Sequence, residues 1–308
     1  MVADTVRDSG TGGLDDLEQA AAVFADVRPR LFGIAYRMLG TVTDAEDLVQ
    51  EVWVRWQTYA DRASVTNPAA FLATTTTRLA INATQTARVR RETYIGPWLP
   101  EPVDTSADPH LGAERGEALG FAVLLLLERL TPNERAAYVL REAFDYPYAQ
   151  IAEILQVSEA AVRQLVSRAR KHVASERRAP VSGDAQRKLL ATFVSAARSG
   201  DLAALEELLA ADVISLSDGG GVVRASRIPV VGALRVAKYH RAFAERFWAG
   251  VDVSFATTNG QASALLRGGG TVFAVLTVNA SDQGIDQVLW MMNPAKITAA
   301  TGRATDSA

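Results

Sequence analysis

LFGIAYRMLGTVTDAEDLVQEVWVRWQ, running from Leu31 to Gln57, carries the strongest local signal in the chain. Thr43 stands three residues before Glu46, the spacing of a helix N-cap and its reciprocal partner. Behind that pair Leu48, Val49, Val52, Trp53 and Trp56 recur at helical spacing, which predicts one apolar stripe on a helix from Asp44 to about Ala60. Asp44, Asp47, Gln50 and Glu51 fall on the opposite face, where acids in a first turn also suit the helix dipole.

Working outward, the helical pattern extends from about Leu17 to Arg91, with Asn67 before Pro68 marking a second helix start. Residues 1 to 16 are polar and glycine-rich and read as a flexible tail, as does the end from Thr301 to Ala308. Four prolines and two helix-breaking glycines from 94 to 112 mark a linker. A second helical block spans 113 to 178, with Thr131, Pro132 and Glu134 as cap, first-turn proline and capping-box acid. After about Asp184 two helices (Gln186 to Arg198, Leu202 to Leu209) lead to Asp218 and three glycines. A helix from Ala233 to about Trp248 then precedes alternating or apolar stretches at 251–255, 271–278 and 284–291. This last block, 184 to 300, reads as an α+β domain built on an antiparallel sheet. The fold class is therefore multidomain, two all-α domains followed by an α+β domain.

A length of 308 residues, with 48% apolar and 22% charged, fits two or three packed domains and excludes wholesale disorder. Zero cysteines remove disulfides, thiolate metal sites and cysteine nucleophiles, and three histidines (His110, His172, His240) offer little for a metal centre, so no cofactor or metal is expected. The longest apolar run, Phe121 to Leu127, is far short of a membrane span, and the N-terminus lacks the order of a signal peptide. A cytoplasmic protein with no membrane partner is the expectation. The net charge of -3 argues against a uniformly basic surface but says nothing of local ones.

Within the second block, Tyr148 to Leu155 forms one short amphipathic pattern, Gln156 and Val157 a tight connection, and Ser158 a cap for another helix. On that helix Val162, Leu165, Val166, Ala169 and Val173 share one arc, and Arg163, Gln164, Ser167, Arg168, Arg170 and Lys171 take the other. Six bases against one acid lie between Val162 and Arg178. Arginine and glutamine near the start of such a helix suit guanine and adenine edges in the major groove, and the later bases suit phosphates. The pattern is a DNA-binding helix-turn-helix.

The Leu31–Gln57 stretch resembles region 2 of extracytoplasmic-function (ECF) sigma factors, and residues 128 to 173 resemble their region 4. The resemblance implies that Asp47, Leu48, Val49, Gln50 and Glu51 contact core RNA polymerase. It implies that the segment from Asp61 to Arg91 reads the minus-ten element of promoter DNA, with Arg62, Asn67, Arg78, Asn82, Arg88 and Arg91 as candidate contacts. The run Thr74 to Thr77 fits either strand donors or a packed helix face. In region 4 the resemblance gives Arg163, Gln164, Ser167, Arg168 and Lys171 to the minus-thirty-five element.

The third block resembles the subgroup with a fused SnoaL-like (NTF2-like) domain, a cone-shaped α+β barrel. The strings that carry this are WLPEP at Trp98 to Pro102, DGGG at Asp218 to Gly221 and NPAKI at Asn293 to Ile297. The subgroup usually has aspartate where Ala295 stands. The resemblance implies that Trp98, Pro100, Asp218, Gly219, Gly220, Asn293, Pro294 and Lys296 form interdomain contacts, so that this domain regulates the factor in cis and no separate anti-sigma factor is expected. The fold also encloses a pocket, which leaves open an unidentified small ligand, a ligand-sensing helix-turn-helix regulator, or catalysis around His240. Acid/base catalysis would need a histidine or paired carboxylates facing that pocket. Asp252 and Asp286 alternate with apolar residues and should face solvent, so the chain is not read as an enzyme.

Overall fold

The computed structural model describes residues 11–105, 120–176 and 178–301. The first ten residues of the expected tail, 106–112 of the linker, 113–119 of the second block, Arg177 and residues 302–308 lie outside the described residues.

Helices α1 (Thr11–Leu39), α2 (Val42–Gln57) and α3 (Pro68–Glu92) form the first body. The expected tail is too long at its inner end, because α1 already begins at Thr11. Asp16 forms an ion pair with Arg62 that fastens the first turns of α1 to the end of α2. The expected cap at Thr43 is also corrected: α2 starts at Val42, and Thr41, in extended backbone, is the N-cap. Gly40 at φ 73° ends α1 one residue earlier, so the two helices meet with no room for a longer connection. Thr41 makes no side-chain cap bond, and its hydroxyl donates to Asp44 (2.5 Å) instead. Asn67 behaves as expected, accepting from Ala70 N–H (3.0 Å) with Pro68 in the first turn of α3.

The second body comprises α4 (Phe121–Leu127), α5 (Pro132–Tyr138) running on through a π turn at Val139–Ala143, α6 (Tyr148–Leu155) and α7 (Glu159–Glu176). The capping box at Thr131 and Glu134 is complete. Gln156 takes the left-handed conformation that closes α6, and Ser158 accepts from Ala161 N–H (3.2 Å) to open α7. One apolar cluster runs through both helical bodies, from Ile34, Val52 and Leu72 to Leu124, Leu140 and Val162. The two bodies are thus packed on each other rather than strung apart.

In the third body α8 (Gly183–Ser199), α9 (Leu202–Leu208) and α10 (Ala233–Phe247) cover one face of a six-stranded sheet. Its strands are β1 (Leu209–Asp218), β2 (Val230–Val231), β3 (Asp252–Thr258), β4 (Gln261–Gly268), β5 (Thr271–Ser281) and β6 (Gly284–Met291), in the order β2-β1-β6-β5-β4-β3. The sheet is mixed, not purely antiparallel, because β1 pairs with β6 in parallel. The chain leaves β1 through β2 and α10, lays β3 at the far edge, builds inward through β4 and β5, and places β6 in the gap beside β1. The opposite face of the sheet carries a separate apolar seam in which Leu99 and Phe121 pack on Val275, Leu289, Met291 and Ile297 of α11 (Pro294–Thr301). The linker and α4 are therefore part of the third body's core, which is why that body cannot drift as a tethered bead.

Candidate functional site

α2 turns two of its expected contact residues inward. Leu48 and Val49 are buried in the helical core, so the reading of both as polymerase contacts is corrected: their place on the apolar stripe commits them to packing. Asp47, Gln50 and Glu51 are exposed, and Glu51 pairs with Arg55 (2.6 Å) one turn on. Val54, half exposed, continues the row from Asp47 and Gln50 and is an apolar element the sequence reading passed over. The row is a short acidic and amide ridge with one aliphatic end.

α7 presents all five expected readers. Arg163, Gln164, Ser167, Arg168 and Lys171 are exposed, while Val162, Val166, Ala169 and Val173 are buried beneath them. Arg163 pairs with Glu159 and lies over the Tyr148 ring at 4.5 Å, and Arg168 pairs with Glu134 (3.0 Å). The Arg163–Glu159 pair is exposed on both sides and worth less than about 1 kcal/mol, whereas Glu134 is largely covered and only Arg168 of that pair is exposed.

α3 divides its expected donors. Asn82 and Arg88 are exposed. Arg78 instead donates to the carbonyls of Ile154 (2.9 Å) and Glu153 (3.1 Å), closing the C-terminus of α6. Arg62 donates to the carbonyls of Trp56 and Gln57 at the end of α2, and Asn67 is the α3 cap. Arg91 is drawn inside by Glu128 and by the Trp98 ring 3.7 Å away, and burial lowers its pKa to about 9. The surface role expected for Arg91 is thus corrected for this conformation. The threonine run resolves to packing: each hydroxyl of Thr74 to Thr77 donates to the carbonyl four residues back, and Thr76 and Thr77 are buried.

The three strings of the third-body resemblance meet at one carboxylate. Asp218 is 0% exposed. Its Oδ1 accepts from the Tyr94 hydroxyl (2.5 Å) and Gly220 N–H (3.1 Å); its Oδ2 accepts from Leu99 N–H (2.9 Å) and Lys296 Nζ (2.7 Å). Lys296 also donates to the Leu99 carbonyl (2.5 Å) and sits 4.4 Å from the Trp98 ring centre. Burial pulls the ammonium below the usual lysine range, and Asp218 opposes that. Asn293 Nδ2 donates to Tyr94 Oη (2.8 Å). Gly220, at φ 62°, lies so close to this amide that a Cβ there would stand 2.5 Å from Asn293 Nδ2, which is why the turn is glycine. Pro100 is buried, Gly219 admits no Cβ, and Pro294 opens α11 at the surface beside Ala295, whose N–H donates to Asn293 Oδ1 (3.1 Å).

Tyr94, Glu128 and Asn259 of this lock have no motif to announce them, and Glu101 lies within WLPEP with nothing to mark its role. Glu101 is buried and accepts from Val42 N–H (2.5 Å), so the linker supplies the cap that Thr41 does not. Burial raises its pKa, and the Val42 and Thr43 amides hold it down. Tyr94 joins Asp218 to Asn293, and Glu128 gathers Arg91 and Arg135. Asn259, on the β3–β4 turn, is wholly buried; its amide donates to Tyr36 Oη (2.6 Å) in α1 and accepts from Val103 N–H (2.9 Å). The Asn259-Gly260 pair does signal a tight hairpin, but nothing in it points to α1.

His240 is buried among Phe193, Tyr239 and Trp290, with the Ser215 hydroxyl 3.4 Å from Nε2. Burial lowers its pKa to about 3, so the ring is neutral and is no general acid at physiological pH. Asp252 is exposed as expected, whereas Asp286 is partly covered by its ion pair with Arg178. A cleft of about 1270 Å³ lies between α4, the segment 178–187 and the sheet, with Arg129, Gln186, Asn279 and Gln287 on its walls.

The model of sigma-70 region 2 matches residues 23–91, and that of sigma-70 region 4 matches 120–173. The chain is 38% identical over 253 residues to the ECF RNA polymerase sigma factor SigJ of Mycobacterium tuberculosis, covering 80% of each chain. It belongs to the ECF sigma factors. The probable ECF sigma factor SigI of the same organism is 32% identical over 223 residues, 71% of this chain and 75% of that one. The crystal structure of M. tuberculosis SigJ superposes with a TM-score of 0.73 at 32% identity, covering 91% of this sigma factor and 99% of that chain. The likeness extends past both sigma regions, so the mixed-sheet third body of this sigma factor is part of the shared architecture. Among the described residues no helix is long and apolar enough to cross a membrane.

Proposed function

We propose that this sigma factor directs promoter-specific initiation by core RNA polymerase and that its third body holds it in a closed form, a regulation in cis that leaves no task for a separate anti-sigma protein. The observation that supports the closed form is the buried Asp218–Lys296 pair, which ties the linker and α11 to the sheet, reinforced by Asn259 lodged against Tyr36. Closure also occupies two groups that the minus-ten reading needs, since Arg78 caps α6 and Arg91 lies under Trp98. In an open form both become donors for a melted strand, alongside Asn82 and Arg88. Polymerase docking falls to Asp47, Gln50 and Glu51, and minus-thirty-five recognition to the exposed face of α7, where Arg163 and Gln164 address bases and Lys171 phosphates.

The docking assignment is tested by capture on immobilised core polymerase. Asp47→Lys with Gln50→Ala should lose most of the capture while thermal unfolding stays as in the parent, because both side chains are exposed. Undiminished capture by the pair would refute it.

A further inference from the structure

The outer faces of α8 and α10 hold a concentration of unused positive charge. Every described arginine from Arg28 to Arg178 is engaged by an ion pair, a hydrogen bond or a ring. By contrast Arg187, Lys188 and Arg198 on α8 are all exposed and none forms an ion pair among the described residues, Arg198 meeting only the Trp248 ring at 5.9 Å. The same holds for Arg235, Lys238, Arg241 and Arg246 on α10. The two helices lie side by side: the Phe193 and His240 rings are 5.1 Å apart, and a Cβ on Gly200 at the end of α8 would meet Ala244 and Arg241 of α10. Both therefore present their cations on one layer. The acids nearby are Asp184 and Glu245 on these helices and Asp201, Glu206 and Glu207 at α9, and none of them pairs with the seven.

The seven exposed cations outnumber the five acids nearby, which leaves this layer locally positive in a chain of net charge -3 and suited to a polyanion. α8 has 17 residues and so runs about 25 Å, the length of about seven base pairs, over which duplex DNA offers a phosphate charge every ~1.7 Å. Phe243, half exposed and against Tyr239, adds an apolar contact within the basic face. The layer also begins where the recognition helix ends: α7 closes at Glu176 and α8 opens at Gly183, and Ser175 and Arg187 line the same cleft.

We infer that the outer face of α8 and α10 is a second DNA-binding surface, which holds the phosphates of duplex flanking the minus-thirty-five element without reading sequence. It lies beyond the α7 contact proposed above but uses that contact as its anchor. The test is equilibrium binding of the full chain to two duplexes carrying the same minus-thirty-five element, one ending at its edges and one extended by about two helical turns (about 20 base pairs) on each side. The variant replaces Arg187, Lys188, Lys238 and Arg241 with glutamine. The parent should bind the long duplex more tightly than the short one. The variant should lose about tenfold or more on the long duplex only, and its plot of log affinity against log salt should flatten by about 2 to 4, near 0.9 for each phosphate contact removed. Equal salt slopes for parent and variant on the long duplex would overturn the inference, as would an equal loss on both duplexes, which would place the four cations within the minus-thirty-five contact. Arg163→Ala separates the two readings: it should relax base preference within the minus-thirty-five element on both duplexes and leave the length effect intact, and its failure to do so strikes the α7 assignment alone.

Discussion

Asp218→Asn changes one oxygen to an amide and should open the molecule. The parent carboxylate is wholly buried and accepts four hydrogen bonds, one from an ammonium that is itself 91% covered by the fold. The amide neutralises the carboxylate bonded to Lys296 and turns an N–H₂ toward a site furnished with donors. Removing one member of a buried pair costs about 3 to 5 kcal/mol, since the survivor stays desolvated and uncompensated. Charged to the closed form alone, that shifts the closed-to-open ratio by at least about a hundredfold. The chain has no cysteine, so Arg55→Cys on α2 and Thr192→Cys on α8, both exposed, can carry a donor and acceptor dye without further engineering. Energy transfer should fall in Asp218→Asn. Adding Lys296→Met should recover part of the loss, because the stranded charge goes too, and the double variant should cost less than the two singles together. An unchanged distance distribution in Asp218→Asn would refute the lock.

Three further outcomes follow from the geometry. Leu48→Ala should destabilise the helical bodies by about 2 to 5 kcal/mol in urea unfolding, as expected for a buried leucine and unlike a surface contact. Arg163→Ala should lower affinity for a cognate minus-thirty-five duplex by about 1 to 3 kcal/mol and relax preference at one base pair, whereas equal weakening on every sequence would make it a phosphate contact. His240 titrates near 3 when folded and near 6.5 when unfolded, so the unfolded chain binds the extra proton as pH falls. Stability should therefore drop by about 1 kcal/mol between pH 7 and pH 5.5, and His240→Gln should remove that part of the slope.

Much of this was legible in the sequence because it rested on local periodicity. The stripe of α2, the caps at Asn67, Thr131 and Ser158, and the divided face of α7 each need only neighbours within a few turns. What failed were assignments that local pattern cannot make. Leu48 and Val49 belong both to a docking string and to an apolar stripe, and burial took precedence. β1 and β4 were not recognised as strands because LAADVISLSD and QASALLRG alternate weakly and contain helix-tolerant alanines and leucines. The parallel pairing of β1 with β6 joins residues about 70 apart in sequence, beyond any periodicity. The lock was visible as three strings but not as one site. Its chemistry depends on Tyr94, Glu101, Glu128 and Asn259, whose partners lie as far as 223 residues away.

The central claim is that the chain is an initiation factor closed by its own third body. Single-round transcription by core polymerase, with the factor limiting and a library of genomic promoters as template, tests it most directly. Transcripts should start at a defined subset of promoters, depend on Arg163, and increase when Asp218→Asn replaces the parent at equal concentration. No transcript from any promoter with either protein would contradict the initiation factor, and equal output from both would contradict the closure.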